Sequence, residues 1–130
     1  MTPRHAGRRV DCTPADAKAR LHDAVAFLEI ADIATDADVV ATNAIHAAIA
    51  AADAICCIAL RERSADGHHA AAVRLLTRVD RKLANALGRC LDRKTQAAYE
   101  SRDIANTDAA ACVRFAIQLV DAARTRIQSI

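Results

Sequence analysis

The chain has 130 residues, which is one domain's length and enough to bury a core without staples. Alanine supplies 33 of them against 3 Gly and 2 Pro, so little in the composition opposes helix and little favours sheet. A net charge of +2 is too mild to mark a nucleic-acid binder by itself, and Phe27, Tyr99 and Phe115 are too few to stack single-stranded bases, so any RNA contact must run through phosphates.

Residues 1–12 read as a flexible basic arm, because Arg4, His5, Arg8 and Arg9 repel one another with nothing apolar to anchor them. The arm lacks the apolar run of a secretory signal. Thr13 and Pro14 open the first helix, one as its cap and the other where no amide hydrogen is needed. Ala17, Leu21, Ala24 and Leu28 then recur at helical steps, Val25 widens the stripe, and the pattern fades near Ile33. Asp32, Asp36 and Asp38 mark the joint.

A second helix is expected from Ala37 to Arg63. It has one apolar stripe of Ile45, Ile49, Ala52, Cys56 and Leu60 and an opposite one of Ala44, Ala47, Ala51, Ala54 and Ile58. A helix apolar all round lies at the centre of a bundle or is shared with a second subunit. Ser64 to Gly67 form a turn into a short helix from His68 to Thr77. A longer helix runs from Asp80 to Tyr99 with a bend near Gly88, and Asn106-Thr107-Asp108 cap a last helix ending near residue 128. The expectation is an all-α, up-and-down helical bundle of four long helices plus a short one over residues 13–130, with no sheet.

Cys12, Cys56, Cys57, Cys90 and Cys112 show no zinc-ligand spacing, and their number is odd. They are expected to be reduced, buried small hydrophobes of a cytoplasmic protein, with Cys56 and Cys57 pointing apart. No metal, cofactor or membrane is expected, and no apolar run reaches the ~18 residues of a membrane span.

Three groups of polar residues carry possible chemistry. Asp53 is the only charged side chain between Val40 and Leu60, and it shares a helical stripe with Asn43, His46 and Ala50. It either orients Lys94, Arg93 or Tyr99 in a polar cleft, or forms a structural ion pair that fixes the register of the bundle. Arg63 and His68 have the spacing of an Arg-x4-His ribonuclease pair, in which the imidazole removes a ribose proton and the guanidinium meets the phosphorane charge. They straddle a turn, however, and chance explains the spacing as well. Arg74, Arg78, Lys82, Arg89 and Arg93 recur as a basic ridge, which suits either an RNA backbone or plain solvation.

Three segments taken together resemble the HEPN family of small helical-bundle domains, common in bacterial toxin–antitoxin and nucleotidyltransferase-linked systems. They are Ala51-Ala52-Asp53-Ala54-Ile55, then Gly67-His68-His69-Ala70 running into Leu75-Leu76, and Lys94-x-x-Ala97-x-Tyr99, similar to the Arg-x-x-Ala-Asp-Tyr signature of a divergent branch. The resemblance spans residues 14–128. It implies a homodimer that binds RNA, a nucleotide or a nucleotidyltransferase-type partner protein, with Asp53, Lys94 and Tyr99 at the catalytic position. Lys94 and Tyr99 replace the arginine and histidine of the family's Arg-x4–6-His motif, and lysine does not fork onto phosphate as arginine does. The resemblance therefore implies a binding module with a degenerate motif. The rivals are a metal-independent ribonuclease toxin and a structural protein–protein interaction bundle.

Overall fold

A computed structural model describes residues 9–65 and 69–129, with Tyr99 described by its backbone alone. Five helices account for most of these residues: α1 (Pro14–Ile33), α2 (Ala37–Leu60), α3 (His69–Thr77), α4 (Arg81–Tyr99) and α5 (Asn106–Gln128). The molecule is an all-α bundle of four long helices and a short one. It also carries one feature the composition does not announce, a two-stranded antiparallel ribbon of β1 (Arg9–Asp11) and β2 (Glu62–Ser64). The register pairs Arg9 with Ser64, Val10 with Arg63 and Asp11 with Glu62. The expectation of no sheet is corrected to that extent.

Local chemistry sets the helix ends. Thr13 and Asp16 form a reciprocal capping box at α1: the Thr13 hydroxyl accepts from the Asp16 amide at 3.1 Å, and the Asp16 carboxylate accepts from the Thr13 amide at 2.8 Å. Asp36 caps α2 by accepting from the Asp38 amide, and Asp80 caps α4 by accepting from the Leu83 amide. The start of α5 differs from expectation, because Ala105 occupies the cap position and no side chain bonds there. α4 is one helix through Gly88.

α2 stops at Leu60, three residues before the expected Arg63, because Arg61 takes the left-handed conformation with φ 58° and ψ 24°. Its amide still donates to the Cys57 carbonyl at 3.0 Å, while its own carbonyl accepts from the Cys12 amide at 2.9 Å. The chain leaves the helix there and runs as β2 against β1. A disulfide between Cys12 and Cys57 closes the same corner. Residues 9–12 are thus not a loose arm, and these two cysteines are not free thiols. Residues 1–8, including Arg4, His5 and Arg8, lie outside the described residues. Cys56 packs in the main core cluster and Cys57 in a separate one with Cys12, and Cys56 is a free, buried thiol, as are Cys90 and Cys112.

The core is built around α2, which packs on α1 and α5 along much of its length and on α3 and α4 more briefly. Its buried residues are unbroken from Ala50 to Cys57 and include Ala41, Ala44, Ile45, Ala47 and Ala48 before them. Ala17, Ala24 and Ala31 form the buried stripe of α1, and such small side chains let the two backbones approach closely. Ile55, Leu76, Leu87, Leu119 and Val120 supply the bulk that alanine cannot. α2 is also long and apolar enough to cross a membrane, contrary to the reading that no segment qualifies, but 67% of its most apolar stretch is buried against the other helices. A central position in its own chain accounts for both apolar faces, so neither face requires a second subunit.

Candidate functional site

The expected site residues fall on different parts of the bundle. Asp53 sits on the α1 side of α2, 6% exposed, and its carboxylate accepts from the Arg20 guanidinium of α1 at 2.9 Å. Arg20 is 28% exposed and also donates to Asp23 at 3.1 Å. Burial pushes the Asp53 carboxyl above the usual carboxylate range, against the pull of Arg20 and then of Arg63. The partners expected for Asp53 were Lys94, Arg93 and Tyr99, and the actual partner is Arg20. A carboxylate on the side of α2 that faces α1 meets the cations of α1, which lies antiparallel to it.

Arg63 lies on β2 and donates to the Ser64 carbonyl at 3.2 Å. His68 is outside the described residues, so the Arg63–His68 pair has no geometry here. The basic ridge is partly spent within the molecule. Arg93 pairs with Asp108 at 3.4 Å and lies over the Phe115 ring at 5.3 Å. Arg78 reaches Glu62 at 3.7 Å. Arg74, Lys82 and Arg89 are exposed. The Tyr99 side chain is outside the described residues, and its backbone forms the end of α4.

Lys94 is placed in a cleft of about 320 Å³ lined by Thr42, Ile45 and His46 of α2, His69 at the start of α3, and Leu91, Lys94, Thr95 and Ala98 of α4. Its ammonium donates to the Thr42 hydroxyl. Across the mouth His46 is exposed, with its ring tilted on Phe27 at 5.2 Å between centroids. Ile45 and Leu91 make the floor apolar. Convergent polar groups over an apolar floor are the usual form of a small-ligand or anion site.

The sequence reading put Lys94 in a cleft with Asp53 and His46 on the stripe of Asp53, whereas this cleft is lined by Lys94 and His46 without Asp53. The stripe itself holds, since His46 meets Phe27 and Asp53 meets Arg20, both on α1, but seven residues set the two about 10 Å apart along the helix axis. Among the described residues no group of three His, Cys, Asp or Glu side chains is placed to hold a metal ion. Thr42 and Thr95 carried no sequence signal, since hydroxyls are ordinary on a helix surface.

Known proteins offer no guide to this cleft: no family model, no curated protein and no solved structure matches the chain.

Proposed function

We propose that the α2–α3–α4 cleft is the working site of a HEPN-like module that binds RNA or a nucleotide through phosphate oxygens. The observation that carries this reading is the meeting of Lys94, His46 and His69 in one cleft of about 320 Å³. A lysine and two imidazoles supply donors for an anion, Thr42 and Thr95 supply hydroxyls, and among the described residues no carboxylate lines the cleft to oppose them. Lys94 acts as a point charge rather than a fork, so it suits binding better than in-line catalysis. Cytoplasmic location, a homodimer and a nucleotidyltransferase-type partner belong to the same proposal through the family resemblance.

Fluorescence anisotropy with a short single-stranded RNA tests it. Lys94→Ala is expected to weaken binding at every sequence and to lower the salt slope by about 1. Equal affinity and equal slope for the variant would remove the cleft from the reading.

The ribonuclease reading has one observation in its favour, since an imidazole beside an ammonium is a general base beside an electrostatic stabiliser. Weak or no cleavage in EDTA is the expected result. Robust cleavage lost in His46→Ala or His69→Ala would make the cleft catalytic, and cleavage lost in Tyr99→Phe would return the chemistry to the family's position.

A further inference from the structure

Besides the disulfide, the described contacts that hold β1 and its junction are the short pairing with β2 and the Cys12 amide on the Arg61 carbonyl, while a surface Arg78–Glu62 ion pair at 3.7 Å ties β2 to the end of α3. β1 is three residues long, and all three are exposed. It has a single partner strand, and a lone two-stranded ribbon is marginal in water. The Arg9–Glu62 ion pair at 3.8 Å lies on the surface, where such pairs contribute little. The bundle, by contrast, has its own core around α2. Cys12 and Cys57 belong to a small peripheral cluster with Ala17, Ile58 and Ile127. As thiols they would remain small apolar side chains in that cluster.

We propose that Cys12 and Cys57 form a redox switch, oxidised to pin the β1–β2 ribbon and reduced to release it while the helices stay folded. Ser64 ends β2 and His69, which lines the cleft, begins α3, so the ribbon ends five residues before one wall of the cleft. The inference does not depend on what the cleft binds.

The chemistry is ordinary exchange with a dithiol. Cys12 is the more exposed partner, 6% against 0% for Cys57. A reductant thiolate bonds to the Cys12 sulfur, the Cys12–Cys57 bond breaks, and Cys57 leaves as a thiolate that takes up a proton. The second reductant thiolate then displaces Cys12 from the mixed disulfide. Two electrons pass to the protein, which ends with two thiols, and the reductant ends as a disulfide. Cys56, next in sequence to Cys57, does not compete. Burial first, and the nearby Asp53 charge second, push its thiol up to about 12. Structural disulfides are uncommon in reducing compartments, where the disulfides that do form are mostly transient or sensing.

Mass mapping of the air-oxidised protein after alkylation, followed by hydrogen exchange on oxidised, dithiothreitol-reduced and Cys12→Ser protein, tests the switch. The expected map joins Cys12 to Cys57 and leaves Cys56, Cys90 and Cys112 alkylated. On reduction the amides of residues 9–12 and 62–64 should exchange about tenfold faster or more, with α2, α4 and α5 unchanged. Cys12→Ser should match the reduced form without any reductant. Three results would overturn the proposal: Cys12 alkylated in the oxidised protein, a ribbon equally protected in both states, or helices that lose protection together with the ribbon.

Discussion

At the residue scale, Asp53 is the most informative position. Its folded pKa is raised, so the folded state holds a proton that the unfolded state has released. The Asp53 contribution to stability is therefore fully present below the ordinary carboxylate value of about 4 and is lost as pH rises through the folded value. Asp16 acts in the opposite sense. Its hydrogen bonds from Thr13 lower its pKa, and its contribution is lost as pH falls. Asp53→Asn keeps an acceptor for Arg20 and removes the charge, so above about pH 4 its urea midpoint should vary less with pH than that of the wild type. Asp53→Ala should cost about 1–3 kcal/mol at neutral pH, because it strands one guanidinium nitrogen. The larger penalty of a stranded deep charge does not apply, since Arg20 is partly exposed and keeps Asp23. A loss within about 0.5 kcal/mol would mean that the Arg20 contact is not maintained in solution. Gly88 offers a gain. A methyl group there would meet nothing within 4 Å, so Gly88→Ala should stabilise by about 0.5–1 kcal/mol in thermal or urea unfolding.

At the element scale, the helices were legible because the sequence punctuates them: Thr13-Pro14, Asp36 and Asp80 each announce a start, and the structure places a cap at all three. The end of α2 was not legible. Arginine is a good helix former, and nothing in Arg61-Glu62-Arg63 signals the left-handed turn that a glycine would have advertised. Arg61→Gly should relieve that conformation and raise stability by about 1 kcal/mol, read as a shift in the urea midpoint with an unchanged slope. A destabilised variant would mean that the Arg61 side chain, not its backbone, holds the corner. Removing the α1 cap with Thr13→Ala should cost about 1 kcal/mol. The disulfide was within reach of element arithmetic. Cys12 lies two residues before α1, and Cys57 lies about 20 residues into α2, so two antiparallel helices of about 30 Å bring them back to the same end of the bundle. Reading residues 1–12 as a single basic arm hid that signal. The partner of Lys94 was harder to find, since Thr42 lies 52 residues away and is one hydroxyl among many.

At the scale of the whole molecule, α2 at the centre turns a helix that looked ready for sharing into a core of the chain's own. What remains apolar on the outside includes Ile30, Ile33 and Val39 near the α1–α2 joint, with Ile33 at 78% exposure. A homodimer, if formed there, is expected to show about twice the 13.9 kDa chain mass in light scattering and to revert to that mass in Ile33→Asp. Wild-type protein at the single-chain mass across micromolar concentrations would end the dimer proposal. The disulfide also changes how the chain bears load. It spans 45 residues of sequence, so α1 and most of α2 form a covalent ring and the other helices lie on the open strand beyond it. Tension applied between residue 9 and the C-terminus would pass from Cys12 straight to Cys57 and leave the ring slack. A single-molecule pulling trace of the oxidised protein should come up short by roughly 160 Å of contour, at about 3.5 Å per residue, and dithiothreitol should restore that length.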